Sequence, residues 1–261
     1  MPVVRPKKSL GQHFLHDRRI AGLIVSSLQA EGVDYVVEVG PGMGVLTEDL
    51  LQRFGPVFYA VEVDGESVQY LRQRLPELGG NLIEADFLDV DIENCFNGRV
   101  AIIGNLPYNI SSQIFFKILA MRQRVVEAVV MVQREVAQRI AEKPGSRTYG
   151  ILSVLLQAYF NIEYLHTVSE GAFTPPPRVK SSVIRLTRNH VAELDCNPEL
   201  FVRVVKASFN QRRKMLRNAI HSAFPGVEAG KPFSERRAEQ LSVADFVELT
   251  NMVEQQLTAV S

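Results

Sequence analysis

The chain has 261 residues, of which 46% are hydrophobic and 22% charged, with 29 basic and 29 acidic side chains and a formal net charge of zero. That length gives one or two domains with a sizeable core, and the composition excludes a largely disordered chain, a collagen-like repeat and a disulfide scaffold. The two cysteines, Cys95 and Cys196, stand in no metal or redox spacing, which points to a reducing compartment.

In chain order, a short Gly-containing arm at 9–14 precedes a helical pattern from Asp17, an N-cap type, with Ile20, Leu23, Ile24 and Leu28 at helical spacing. Alternation then begins. Residues 35–39 form a β-branched run that stops at Gly40, 46–54 are helical, 57–63 a second strand and 66–75 a second helix closed by Pro76. Strands are predicted at 81–85, 100–104 and 128–132, with helices at 110–121, 135–142 and 149–159. A late strand at 181–186 follows the Pro175-Pro176-Pro177 run, and after Asn189 only helical patterns remain, at 201–209, 213–224 and 243–257. Strands alternating with helices predict an α/β, Rossmann-like domain with a mostly parallel sheet over 1–188, and 189–261 predict a small all-helical domain of ~70 residues. The longest unbroken apolar runs, 57–61 and 128–132, are five residues long, far short of the ~20 that span a membrane. With no secretory signal visible, the expectation is a soluble, cytoplasmic protein without a membrane partner.

The zero net charge hides an asymmetry. Residues 1–19, 173–188 and 199–218 together hold 15 of the 29 basic side chains and 2 of the 29 acids, a local +13 that leaves −13 on the rest. Phosphate binding answers to local charge, so a nucleic-acid partner is consistent with this pattern.

Glu38-Val39-Gly40-Pro41-Gly42-Met43-Gly44 lies between a strand and a helix. Glycines there admit close approach of backbone to ligand, at the sheet edge where open α/β folds bind cofactors. A dinucleotide fingerprint counted from Gly40 fails at Val45. The pattern E/D-x-G-x-G-x-G instead looks like the first motif of S-adenosylmethionine-dependent methyltransferases. The second strand ends in Val61-Glu62-Val63-Asp64, where a carboxylate can accept bonds from both ribose hydroxyls; Glu62 is the candidate and Asp64 the fallback. Asp86 follows the third strand and suits an adenine amino group, with Phe87 packing on the ring.

Asn105-Leu106-Pro107-Tyr108 follows the fourth strand. It resembles the [DNS]-P-P-[YFW] motif of enzymes that methylate exocyclic amino groups of nucleobases. The adenine N6 lone pair is delocalised, so its methylation needs acceptors that hold both N6 hydrogens and favour a pyramidal nitrogen. The Asn105 side-chain oxygen and the Leu106 carbonyl are candidates, with proline fixing the turn and Tyr108 stacking on an extruded base. Catalysis is then positioning and charge stabilisation. No metal is implied: the histidines form no ligand cluster.

Gln12-His13-Phe14-Leu15, residues 38–47, 61–64, Asp86, 105–111, 173–186 and Asn210-Gln211-Arg212-Arg213-Lys214 appear in this order. With them the chain resembles, over almost its whole length, the small-subunit (16S) rRNA adenine N6,N6-dimethyltransferases, the family linked to kasugamycin sensitivity. The resemblance implies that His13, Leu15, Gly40, Gly42, Glu62, Asp86, Phe87 and Asn105 line an S-adenosyl-L-methionine site. It further implies that Asn105, Leu106 and Tyr108 present the target amine, and that Phe173 closes the other face of the flipped adenine. His13 stands where many members have Asn. The implied substrate is two adjacent adenosines, each dimethylated, in the 3′-terminal hairpin of 16S rRNA within the assembling 30S subunit. The implied enzyme is a monomer with a role in ribosome biogenesis. Arg178, Lys180, Arg212, Arg213, Lys214 and Arg217 are then the expected RNA contacts.

Three other readings remain at this point. A large-subunit rRNA resistance methyltransferase shares Gln-x-Phe-Leu and Asn-x-Pro-Tyr, but Gly40-Pro41-Gly42, Leu106 and the Phe173–Val179 stretch fit the small-subunit family better. DNA adenine methyltransferases usually carry Pro at the Leu106 position. An assembly factor with dispensable methylation is a binding-protein alternative.

Overall fold

The computed structural model describes residues 4–260; residues 1–3 and 261 of the two expected domains lie outside the described residues. In chain order the strands and helices are β1 (Phe14–Leu15), α1 (Arg18–Ser27), β2 (Tyr35–Val39), α2 (Thr47–Phe54), β3 (Phe58–Glu62), α3 (Gly65–Arg74) and β4 (Leu82–Glu84). Then come α4 (Ile92–Cys95), β5 (Val100–Asn105), α5 (Ser111–Ala120), β6 (Val125–Gln133), α6 (Arg134–Ala141), α7 (Ile151–Gln157) and β7 (Phe160–Val168). The chain closes with β8 (Phe173–Thr174), β9 (Ser181–Arg188), α8 (Pro198–Asn210), α9 (Leu216–Ala223) and α10 (Val243–Val260).

A seven-stranded sheet runs in the order β4-β3-β2-β5-β6-β9-β7. The pairs β3–β4, β2–β3, β2–β5 and β5–β6 are parallel, and β6–β9 is antiparallel. This is the expected α/β, mostly parallel architecture. The parallel strands are short apolar runs buried on both faces: Val36, Val37, Ala101, Ile102 and Ile103 are fully buried. The order turns around between β2 and β5, so the loops leaving these two neighbours diverge and open a crevice at their carboxyl ends. Gly104 lets the strands approach there: a Cβ on it would lie 2.4 Å from the Val39 carbonyl oxygen. Asp17 starts α1 as expected, its carboxylate accepting the amides of Arg19 and Ile20.

The chain divides into two compact units, one running through Ala137 and resuming at Asn161–Arg188, the other comprising Gln138–Phe160 and the residues from Asn189 onward. The sequence boundary at 188/189 puts 138–160 in the first domain. In the structure α7 packs on α8 and α10, and Tyr149 stands 6.2 Å from Phe209, which in turn faces Phe246. Its apolar surface therefore belongs to the helical core. Residues 160–174 carried no predicted strand, yet β7 lies at one edge of the main sheet. Its first half, Phe160-Asn161-Ile162-Glu163-Tyr164, does alternate apolar and polar residues, a strand signal in the sequence, although only the end residues Phe160 and Val168 are buried. A separate antiparallel pair joins β1 to β8, with Leu15 opposite Phe173.

Candidate active site

Each strand that ends at the crevice delivers one element of the site. Beyond β2 the chain turns through Gly40, Gly42 and Gly44, all with positive φ (68°, 55° and 80°). Only glycine adopts this freely, and a Cβ on Gly42 would also lie 2.9 Å from the Phe14 ring. β3 ends in Glu62, whose Oε2 accepts the Gly42 amide at 3.0 Å and whose Oε1 accepts the Asp64 amide at 2.9 Å. The loop after β4 carries Asp86, which accepts the Leu88 amide at 2.9 Å, and buried Phe87. β5 ends in Asn105. Together they wall a cavity of about 300 Å³ that Gly40, Gly42, Glu62, Asp86, Phe87 and Asn105 all line. Leu106 and Tyr108 reach it from the β5 side.

The N-terminal arm forms the remaining wall and is tied down along its length. Lys7 forms an ion pair with Asp64, Asn109 donates to the Ser9 carbonyl at 3.2 Å, and Asn105 Nδ2 donates to the His13 carbonyl at 2.9 Å. His13 and Leu15 line the cavity as expected. The His13 Nδ1 lies 2.8 Å from the Pro175 carbonyl. A carbonyl only accepts, so Nδ1 donates in this contact.

Electrostatics separate the carboxylates. Burial pushes Glu62 up, against the pull of the backbone amides of Asp64, Gly42 and Val63. Burial pushes Glu38 up to about 8, with a bond from Thr47 opposing and the nearby Glu62 adding. Asp64 differs: burial acts upward, but hydrogen bonds from Lys7 and Ser67 hold it below the usual range. Its oxygens are committed to the arm and to the N-cap of α3. Glu62, not the Asp64 fallback, therefore faces the cavity. Each Glu62 oxygen accepts one bond and keeps further acceptor capacity, which suits the paired hydroxyls of a ribose.

Asn105 is the most telling side chain. Its Nδ2 is bonded, while its Oδ1 is buried with no hydrogen-bond partner among the described residues. Such an orphan costs stability, and it is the atom expected to hold a substrate or cofactor hydrogen. The Leu106 amide donates to the Met131 carbonyl at 3.0 Å, fixing the peptide ahead of Pro107. The Tyr108 hydroxyl bonds Ser181, and its ring stands 5.2 Å from that of His13. The glycine cradle, the free acceptors of Glu62 and the orphaned Asn105 oxygen together fit the adenosyl cofactor that the sequence leads one to expect.

Two expectations are corrected. Phe173 does not line the cavity. The residue is 2% exposed and lies in the hydrophobic core with Phe14 and Leu15, where β8 pairs with β1. Arg212 is not a free phosphate contact: its guanidinium donates to the carbonyls of Arg147 and Tyr149. Arg178, Lys180, Arg213, Lys214 and Arg217 are exposed. Sequence reasoning gave no role to Glu38, although it opens the glycine motif, nor to Lys7, whose ion pair spans 57 positions. Among the described residues no group of His, Cys, Asp and Glu could hold a metal, and no helix is long and apolar enough to cross a membrane.

Comparison with known proteins agrees with this geometry. The model of the ribosomal RNA adenine dimethylase family matches residues 3–255. The chain is 52% identical over 257 residues to the ribosomal RNA small subunit methyltransferase A of Phocaeicola vulgatus, covering 97% of this chain and 91% of that protein. It is 51% identical to the protein of the same name from Cytophaga hutchinsonii, covering 97% and 99%. Among solved structures, a dimethyladenosine transferase from Plasmodium falciparum superposes with a TM-score of 0.77 at 23% identity, covering 94% of this chain and 98% of that one. The 23S rRNA methyltransferase ErmE gives 0.64 at 24%, covering 93% and 100%. At these identities the structural likenesses speak for the fold.

Proposed function

The chain belongs to the ribosomal RNA adenine dimethylase family, and on that premise we propose that it dimethylates N6 of two adjacent adenosines in the 3′-terminal hairpin of 16S rRNA. The cofactor is S-adenosylmethionine, and the setting is the assembling small subunit in the cytoplasm, with the protein acting as a monomer. The relatives at 51–52% identity are named for the small subunit, which favours it over the large-subunit reading. The single observation that carries the chemistry is the buried Asn105 Oδ1, without a partner among the described residues, beside the glycine cradle.

When bound, S-adenosylmethionine supplies a methyl group activated on a sulfonium. Gly40 and Gly42 admit it closely, Glu62 accepts the ribose hydroxyls, and Asp86 and Phe87 hold the adenine. His13 and Leu15 close the arm side. Asn105 Oδ1 and the Leu106 carbonyl accept the N6 hydrogens of the target adenosine and stabilise the positive charge that builds on N6. Tyr108 stacks on the extruded base. Arg178, Lys180, Arg213, Lys214 and Arg217 contact phosphates and set the register of the hairpin.

The test uses small subunits from a strain lacking this modification. The protein and S-adenosylmethionine are added, and the rRNA is read by mass spectrometry. Two dimethyladenosines in the 3′-terminal hairpin are expected. Methylation of large-subunit rRNA, or none at all with small subunits, overturns the reading.

A further inference from the structure

Lys117 is the only charged residue of α5, in the sequence Ser-Ser-Gln-Ile-Phe-Phe-Lys-Ile-Leu-Ala. Its neighbours Ile114, Phe115, Ile118 and Leu119 are buried, and its own half-buried ammonium is aimed at the loop after β4. There it donates to the Leu88 carbonyl at 2.7 Å and the Val90 carbonyl at 2.6 Å. It also stands 5.2 Å from the centroid of the Phe87 ring. Removing an ammonium from water is costly unless donors are matched by acceptors, and here two carbonyls and an aromatic face supply the match. The segment gripped is a tight turn: the amides of Asp89 and Val90 both donate to the Asp86 carbonyl, and the Leu88 amide donates to the Asp86 carboxylate. Asp86 and Phe87 line the cavity, and Lys117 does not.

We propose that Lys117 is a positioning residue for the adenine end of the cofactor site, fixing the Asp86–Val90 turn by its backbone carbonyls and holding the Phe87 ring by its charge. The proposal rests on the adenosyl reading of the cavity. It also joins the two halves of the site, since α5 begins immediately after the Asn105–Tyr108 motif. Burial lowers the affinity of the ammonium for its proton, while Asp86, Asp89 and Asp91 around the turn act in the opposite sense.

The test is calorimetric titration of the full-length chain with S-adenosylhomocysteine and with S-inosylhomocysteine, which lacks the 6-amino group that Asp86 would accept. Wild type should prefer the adenosyl ligand roughly ten- to hundredfold, the worth of one bond to a charged group. Lys117→Met keeps the apolar stem and removes the ammonium. It should weaken S-adenosylhomocysteine binding about tenfold, cut the preference to about threefold or less, and leave kcat at saturating cofactor within about twofold, by the same bond arithmetic. Lys117→Gln, which keeps one amide donor, should fall between the two, and carries the test alone if the Met variant does not fold. Wild-type affinity and preference in a folded variant, even one with a lowered melting temperature, would reduce Lys117 to a structural brace and overturn the proposal. A wild type that binds neither ligand overturns the cofactor reading itself.

Discussion

Replacing Asn105 by Ala separates the cost of function from the cost of folding. Among the described residues the side chain makes one bond, Nδ2 to the His13 carbonyl at 2.9 Å, and buries one acceptor without a partner. Losing the bond removes about 0.5–1.5 kcal/mol of stability, while removing an unsatisfied buried acceptor returns about 1–3 kcal/mol. The two oppose each other, so the unfolding free energy should fall by no more than about 0.5 kcal/mol and can rise by up to about 2.5 kcal/mol. Activity should respond very differently. One preorganised acceptor aimed at developing charge is worth about 10²–10³ in kcat. The assay is single-turnover methyl transfer to unmodified small subunits at saturating cofactor, paired with denaturant unfolding of the same preparation. Cofactor affinity is measured alongside, because the lost tie to His13 loosens the arm and should weaken binding modestly. A variant with kcat within about fivefold of wild type would refute the catalytic assignment. One destabilised by more than about 3 kcal/mol would show that Asn105 is instead a structural residue.

The buried Glu38 carboxyl, held near 8 against an ordinary value of 4.5, binds its proton more tightly folded than unfolded. Its contribution to stability is therefore complete below about pH 4.5 and is lost as pH rises towards 8, at up to about 1.4 kcal/mol per unit. Glu38→Gln should lose that slope, so its advantage over wild type in ligand-free urea denaturation grows between pH 5.5 and 7.5; parallel curves would show that Glu38 stays ionised. Charge reversal at Arg213, Lys214 and Arg217, all exposed, should weaken subunit binding and lower the slope of log K against log salt by about one for each phosphate no longer neutralised. Unchanged binding at every salt concentration would remove the α8–α9 turn and the start of α9 from the footprint, while Arg212 is unsuited to the test because its reversal also breaks two bonds to backbone carbonyls. Gly42→Ala forces a side chain into φ +55° and against the Phe14 ring. It should cost about 1–3 kcal/mol of stability and weaken cofactor binding at least about tenfold; near-normal affinity would mean that the glycine turn is not the cofactor's seat.

The parts of the site that were legible in the sequence are those whose position follows from local pattern. A parallel strand buried on both faces is a short apolar run, and it stops where the polar chemistry starts, so Glu62, Asp86 and Asn105 were found by where Tyr35–Val39 and its neighbours end. The parts that were not legible depend on which distant segment a residue meets. Phe173 has the composition of a base-stacking residue, but its orientation is set by pairing with Leu15, far away in the chain. Asp64 stands in the right place for a ribose contact and is taken up by Lys7. Arg212 sits in a basic run and is spent on the carbonyls of another loop. In each case the residue type was compatible with two partners, and a non-local contact chose between them. The same logic makes Lys117 visible only in retrospect. A single lysine in an apolar helix is an anomaly in the sequence, and its meaning lies in the two carbonyls across the gap. Function in this fold is therefore read most securely where a strand end fixes a side chain's direction, and least securely where a flexible basic or aromatic side chain is free to choose among neighbours.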